Sequence, residues 1–208
     1  SGFFPEWASP GHRNCMIGNN SASVLADAYL KGIKVNDTEA LYKGLIHATQ
    51  NVHPEVSSTG RLGYDYYNRL GYVPCDVGIH ENAARTLEYA YNDWCILQVA
   101  KALDRPKEEL AELKKRATNY RNIFNKEHNL MCGRNVEGTF ETNFSPLKWG
   151  GNFTEGNSWH YTWSVFHDVQ GLIDLMGGKE VFVQMLDSVF TVPPHYDDSY
   201  YGFPIHEI

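Results

Sequence analysis

Residues 82–103 read NAARTLEYAYNDWCILQVAKAL and form the longest helical pattern in the chain. A surface helix confines its apolar side chains to one stripe. Here the apolar side chains spread around most of the helix; they are Leu87, Ala90, Tyr91, Trp94, Leu97 and Val99. We therefore predict an inner helix that other helices surround.

The next pattern, over residues 105–125, is that of an outer helix. Pro106 stands in the first turn, where a missing N–H group costs little. One face is apolar and the opposite face carries Lys and Glu; the apolar residues are Leu110, Leu113, Ala117, Tyr120 and Phe124. Residues 82–126 are thus predicted to form an antiparallel helical hairpin.

Five further segments carry helical spacing, caps or closing glycines, and strand signals are few. They are residues 21–32, 36–50, 64–71, 161–178 and 179–190. Seven helices joined in pairs by short turns predict an all-α array, either a solenoid or a toroid. No fixed repeat period is present, which disfavours the common helical repeat families.

Composition limits the kinds of partner. The 208 residues carry a formal charge of −7, which gives no basic surface for nucleic acid or an anionic membrane. A neutral partner is expected. No apolar run approaches the roughly 20 residues of a membrane span, and the first residues lack the pattern of a signal peptide. The four cysteines, Cys15, Cys75, Cys95 and Cys132, show no C-x-x-C spacing and are predicted to be buried thiols.

Residues 127–159 form a long polar, glycine-rich stretch, and loops of this length in compact domains are usually functional. Within it, Glu155 stands between glycine-rich turns and the aromatic run Trp159, Tyr161, Trp163. Apolar surroundings favour the protonated form of a carboxylic acid, which can then donate its proton to a leaving group. The alternative is a carboxylate that complements the dipole at the start of a helix.

Other polar residues give weaker signals. His167 and Asp168 are adjacent in a predicted helix, so they point apart, and structural hydrogen bonds are the favoured interpretation. His206 and Glu207 could bind sugar hydroxyls, help to hold a metal, or do neither. The many tyrosines and tryptophans suit carbohydrate stacking, although aromatic residues at helical spacing are more often core.

The string EGNSWHYTWSVFHDVQGLIDLMGG, residues 155–178, resembles the signature region of glycoside hydrolase family 92, the calcium-dependent exo-α-mannosidases. Three further stretches agree with that family in order, so the resemblance runs over nearly the whole chain. They are PEWASPGHRNCMIGNNSASVLADAYLKG, TLEYAYNDWCILQVAKAL and KKRATNYRNIF.

The resemblance implies part of an (α/α)6 toroid, with the long loop at its active site, and removal of terminal α-linked mannose with inversion. By resemblance, Glu155 of the E-G-N-x-W motif is the general acid and Trp159 of that motif contacts substrate. His206 and Glu207 correspond to the pair that forms the mannose subsite near calcium, with Glu207 beside the metal. Glu155 and His206 are then expected at one end of the helical array.

The chain departs from the family pattern at Phe166, where V-P-H-D is expected. An inverting glycosidase also needs a second carboxylate about 6.5–9.5 Å from the acid. The family places this base in a G-N-D-D-like motif beyond the histidine–glutamate pair, whereas Asp197 and Asp198 have different surroundings. We therefore expect residues 1–208 to be a partial catalytic domain, inactive alone, whose parent has a preceding β-sandwich domain and the remaining toroid helices.

Two alternative functions stay open at this point. One is a carbohydrate-binding helical domain without catalysis, and the other is a different (α/α)6 enzyme, such as a polysaccharide lyase or a glucosidase. The resemblance favours a mannose-containing glycan as partner, an α-1,2 type of specificity, and export by a bacterium to the periplasm, the cell surface or the medium.

Overall fold

The structure is a computed structural model that describes residues 2–7, 12–192 and 197–203. These residues are mostly helical, which confirms the predicted all-α class. The helices are α1 (Ser21–Leu30), α2 (Thr38–Ala48), α3 (Tyr64–Leu70), α4 (Asn82–Ala102), α5 (Lys107–Arg116), α6 (Ser158–Tyr161), α7 (Val169–Met176) and α8 (Lys179–Thr191). A 3-10 helix, Asn119–Ile123, leads into the antiparallel strands β1 (Phe124–Asn125) and β2 (Leu130–Met131).

The chain divides into two compact units. The first contains Ser1–Gly71 and Arg85–Asn119, and the second contains Tyr72–Ala84 and Tyr120–Ile208. Among the helices of the described ranges, none is long and apolar enough to cross a membrane.

The core of the first unit is built on α4. Buried apolar side chains of α1, α2, α4 and α5 form one cluster, in which Leu45, Ile96 and Val99 are completely buried. Buried residues occur on every side of α4 along its length, so the prediction of an inner helix is confirmed. Packing from all sides explains why its sequence shows no single apolar stripe.

Polar groups are also buried in the first unit. Asp93 of α4 accepts hydrogen bonds from the Tyr67 hydroxyl and forms ion pairs with Arg61 and Arg116. The Arg61 guanidinium lies over the rings of Tyr67 and Tyr89, with centroid distances of 5.6 and 5.2 Å. A buried charge is tolerated only when it is paired and hydrogen-bonded, and this arrangement meets that condition for Asp93.

The outer helix is shorter than predicted. α5 ends at Arg116, and residues 119–125 continue as a 3-10 helix and strand β1. Phe124 pairs with Met131 of β2, which gives its backbone groups a partner outside any helix. The apolar spacing of Tyr120 and Phe124 thus reflects burial in the second unit and not an extension of α5.

In the second unit α7 begins later than predicted, whereas α8 begins at Lys179 as predicted. Asp168 is the N-cap of α7, where its carboxylate accepts the Gly171 N–H at 3.0 Å, so the helix predicted from residue 161 is wrong over residues 162–168. The same carboxylate accepts hydrogen bonds from Tyr120, at 2.6 Å, and from Arg121. Burial opposes ionisation, but these hydrogen bonds outweigh it and hold the pKa of Asp168 below its ordinary value.

The structural role predicted for Asp168 is therefore confirmed, although not its place inside a helix. His167 lies in the turn before α7, with its ring edge-to-face with that of Tyr120. Of the four cysteines, Cys95 and Cys132 are buried as predicted, whereas Cys75 is half-buried and Cys15 is exposed.

Candidate functional site

Residues 150–157, here called the acid loop, carry Glu155 and close on themselves. The Gly150 N–H donates to the carbonyl of Gly156 at 2.8 Å, so the two ends of the loop are adjacent. Gly150 has a φ of +84°, and the rings of Tyr200 and Tyr201 lie against it. A side chain at residue 150 would be strained by its φ and would collide with both rings.

The middle of the acid loop is bound to the start of α4. The carbonyl of Gly151 accepts the Glu81 N–H at 2.7 Å, and the carbonyl of Asn152 accepts the N–H groups of Ala83 and Ala84 at 3.1 Å. Helix N-termini carry N–H groups that lack partners within the helix. The acid loop supplies acceptors for them and is thereby fixed to a long, buried helix.

The Asn152 side chain adds two further bonds. Its Nδ2 donates to a carboxylate oxygen of Glu141 at 2.7 Å, and its Oδ1 accepts from Asn82 at 3.0 Å. Gly133 lies against this side chain, and a Cβ there would be 2.5 Å from Asn152 Nδ2. The sequence gives no local signal for these contacts because Asn152 is far from Asn82 along the chain.

The end of the acid loop caps α6. The Asn157 side chain accepts hydrogen bonds from the N–H groups of Trp159 and His160, while the Asn157 N–H donates to His160 Nδ1 at 3.2 Å. This is a reciprocal capping box in which histidine stands where glutamate or glutamine is usual. The Ser158 hydroxyl donates to the carbonyl of Met131, and the Met131 N–H donates to Thr162, which fixes α6 to β2.

Glu155 has an exposed side chain and a φ of +45°. Left-handed backbone costs a residue with a Cβ about 1–2 kcal/mol, and glutamate is not among the residues that adopt it readily. Asn157, two residues later, caps α6. Glu155 therefore lies outside the helix, which disfavours its interpretation as a helix-start carboxylate.

The backbone on the other side of Glu155 is held by α6. The Tyr161 hydroxyl donates to the carbonyl of Thr154 at 2.7 Å. The Tyr161 ring also stacks on Phe153, with centroids 5.3 Å apart, and lies against Gly156. Tyr161 was part of the aromatic run noted in the sequence, but the bond to Thr154 was not predicted.

The remaining predicted site residues are only partly described. Trp159 is half-buried in the first turn of α6, and its N–H donates to the side chain of the N-cap residue Asn157. His206 and Glu207 lie outside the described residues, and the expectation that His206 and Glu155 share one end of the helical array stays a prediction.

The segment 197–203 is attached beside the acid loop. The Trp149 N–H donates to the carbonyl of Asp197 at 2.8 Å, and the Asp197 N–H donates to Leu147 at 2.9 Å. The Asp197 carboxylate accepts the Ser199 N–H, and hydrogen bonds from Ser199 lower its pKa. A structural role in a turn accounts for this carboxylate.

Calcium prefers several oxygen ligands. Within residues 2–7, 12–192 and 197–203, no group of three or more His, Cys, Asp or Glu side chains is arranged to hold a metal ion. These residues alone do not fit a calcium site, and Glu207, the ligand expected from the resemblance, lies outside them.

The sequence profile of the glycosyl hydrolase family 92 catalytic domain matches residues 1–204. The chain belongs to glycosyl hydrolase family 92. Membership confirms the resemblance read from residues 155–178 and does not support the alternative of a lyase or glucosidase from another (α/α)6 family.

Three relatives illustrate the similarity of this family 92 chain to known proteins. A family 92 inverting mannosidase from Bacteroides thetaiotaomicron is 50% identical with a TM-score of 0.88, over 98% of this chain and 27% of that one. An α-mannosidase of the family from that bacterium, solved with mannoimidazole, is 36% identical with a TM-score of 0.78, over 88% and 24%. An uncharacterized secreted glycosidase from Arthroderma benhamiae is 28% identical, over 82% and 26%.

The chain therefore spans about a quarter of the length of the relatives it matches. Its helices correspond to part of the (α/α)6 toroid on which family 92 mannosidases are built, as predicted.

Proposed function

We propose that this chain is part of an inverting exo-α-mannosidase and that Glu155 is its general acid. The observation that carries the proposal is the conformation of Glu155, an exposed carboxylate at a φ of +45° on a loop fixed from both sides. Strain of this kind persists where the surrounding structure holds it, and it clusters at active sites. The 50% identity to an inverting mannosidase supports the reaction class.

The chemistry assigned to Glu155 is donation of its carboxylic proton to the glycosidic oxygen as the bond to the anomeric carbon breaks. Protonation turns the leaving group from an alkoxide into a neutral alcohol, which departs far more easily. An inverting enzyme uses a second carboxylate to activate water on the opposite face of the sugar.

We propose that this base is supplied outside residues 1–208. The nearby carboxylates are already engaged: Glu141 accepts from Asn152, and Asp197 accepts from Ser199. The toroid and β-sandwich of a parent protein about four times as long are part of the same proposal, which the quarter-length coverage of the relatives supports. By this proposal residues 1–208 alone have no measurable mannosidase turnover.

The substrate is proposed to be a glycan that ends in α-linked mannose, of the α-1,2 type, with Trp159, His206 and Glu207 at the sugar. The complex of a relative with mannoimidazole supports the sugar. Calcium, with Glu207 beside it, is proposed as a cofactor of the whole protein. Export is proposed because one relative is named a secreted glycosidase.

The deciding experiment is Glu155→Gln in the full-length protein. Glutamine keeps the shape and hydrogen bonding of Glu155 but has no carboxylic proton, so turnover of a mannobiose is expected to fall by about 10²–10⁴-fold. An aryl mannoside with a good leaving group should lose much less. The control is Glu137→Gln, an exposed carboxylate on another loop of the same unit. Near-normal mannobiose turnover in Glu155→Gln would remove Glu155 from the acid role.

A further inference from the structure

A peptide group on each side of Glu155, the one before it and the second one after it, is held by a side chain of α6. Tyr161 donates its hydroxyl to the carbonyl of the Thr154–Glu155 peptide at 2.7 Å. The Gly156–Asn157 peptide is held at both ends: its carbonyl accepts the Gly150 N–H at 2.8 Å, and its N–H donates to His160 at 3.2 Å. Consecutive residues of one short helix thus fix the backbone before and after the proposed acid.

The bond to His160 defines the protonation state of that ring. A backbone N–H can only donate, so His160 Nδ1 must present a lone pair to Asn157 and the neutral ring carries its proton on Nε2. Protonation of the imidazole places a hydrogen on both ring nitrogens. The acceptor is then lost, and two N–H groups face each other.

The surroundings of His160 favour the neutral ring. Its imidazole meets the Trp149 ring edge-to-face, with centroids 5.3 Å apart. The His160 side chain is exposed to solvent overall, and its partial burial lowers the pKa of the ring below its ordinary value. The titratable groups on the elements around it are Glu155 of the acid loop, Tyr161 of α6, Lys148 beside Trp149, and those of the segment 197–203, which are Asp197, Asp198, Tyr200 and Tyr201.

We propose that His160 and Tyr161 are positioning residues for Glu155, and that protonation of His160 releases the Asn157 N–H and thereby displaces the acid. This inference rests on the proposed function of Glu155. By this proposal turnover falls at low pH because the acid loop changes conformation when His160 is protonated. This effect is separate from the ionisation of the catalytic acid and base.

The structural part is tested without any activity measurement. In the full-length protein labelled with 15N-asparagine, the Asn157 amide signal is identified by its loss in Asn157→Asp. We expect this signal to shift with pH in step with the His160 ring. In His160→Gln it should stay constant, because glutamine offers an acceptor that does not titrate and that suits this capping position. If the chemical shift of the Asn157 amide did not change as His160 titrates, the inference would be overturned.

The functional part compares two replacements at residue 160. His160→Phe keeps an aromatic ring against Trp149 but removes the acceptor, and we expect kcat on a mannobiose to fall at least fivefold with KM little changed. His160→Gln should rescue most of that loss and should extend turnover to lower pH than in the parent protein. Equal pH profiles for the parent and His160→Gln, or an unaffected His160→Phe, would contradict the proposal.

Tyr161→Phe supplies an independent variant, since it removes only the hydroxyl that holds Thr154. It should lower kcat at every pH without moving the acid limb, and an acid limb that moves would contradict the assignment of pH dependence to His160. The two proposals fail differently. If Glu155→Gln turns over normally, the proposed function fails, whereas the amide titration separately decides whether His160 controls the loop.

Discussion

Arg61 and Asp93 are both completely buried, and the Arg61 Nη2 and Asp93 Oδ1 atoms lie 2.8 Å apart. The same carboxylate pairs with Arg116 and accepts from Tyr67. Asp93→Asn would leave two guanidinium groups without their counter-charge. We expect the free energy of unfolding to fall by about 3–5 kcal/mol, measured by urea unfolding.

The control for this prediction is Asp27→Asn, which breaks an exposed ion pair with Lys31. Exposed pairs contribute about 0–1 kcal/mol, so this variant should unfold at nearly the parental urea concentration. Similar losses in the two variants would show that burial does not set the strength of the Asp93 cluster.

Glu88 of α4 should make stability depend on pH. Its side chain lies against Gly18, and burial raises its pKa from an ordinary 4.5 to about 7. Because the folded state disfavours the charged form, stability is complete below pH 4.5 and falls as pH rises through 7. Glu88→Gln should therefore stabilise the protein at pH 8, by an amount on the order of 3 kcal/mol, and have little effect at pH 4.5.

Thermal unfolding of Glu88→Gln and the parent protein at both pH values measures this difference. The same shift in melting temperature at pH 4.5 and pH 8 would show that Glu88 is not the titrating group.

Gly150 and Gly32 allow backbone strain to be separated from packing. Both have a positive φ, +84° and +80°, but a Cβ at Gly150 would lie 2.7 Å from Tyr200 and 2.8 Å from Tyr201, whereas Gly32 has nothing within 4 Å. Gly32→Ala should lose about 1 kcal/mol from backbone strain. Gly150→Ala should lose a further 1–3 kcal/mol or so from the collision. If chemical denaturation showed the same loss of unfolding free energy for Gly32→Ala and Gly150→Ala, a packed contact at Gly150 would be excluded.

Replacing Glu155 should reveal the strain at that residue. Glycine accepts a φ of +45° without cost, whereas alanine does not, so Glu155→Gly should be more stable than Glu155→Ala by about 1 kcal/mol. Both variants should lack turnover on a mannobiose. The melting temperatures of the two variants measure this difference. A higher melting temperature for Glu155→Ala would show that the backbone at residue 155 relaxes in solution.

Local signals predicted the longer helices, whereas α6, only four residues long, lies partly in the stretch that was interpreted as a loop. Asp37 caps α2 by accepting the Ala40 N–H, and α4 carries buried residues on every side, as the spread of its apolar residues indicated. The missed boundary at Asp168 has a distant cause, since its partners Tyr120 and Arg121 lie almost 50 residues earlier. Strand β1 was hidden because two residues are too few to show alternation.

The candidate site was predictable only in part. The resemblance identified Glu155, but its left-handed backbone follows from bonds made by Tyr161 and His160, which no propensity of glutamate indicates. A histidine in place of the usual glutamate or glutamine conceals the capping box from a sequence pattern. The attachment of Asn152 to Glu141 and to the start of α4 depends on tertiary contacts.

The attachments of the acid loop also determine when it can form during synthesis. Glu81 is made about 70 residues before the loop, and Tyr200 and Tyr201 about 50 residues after Gly150. A nascent chain that has emerged only as far as Val192 has its α4 core but no aromatic cover on Gly150. Long-range closure is slow compared with helix formation. The acid loop is thus among the last parts of this chain to reach its final conformation. A ribosome-bound intermediate therefore contains Glu155 before the loop that positions it has formed.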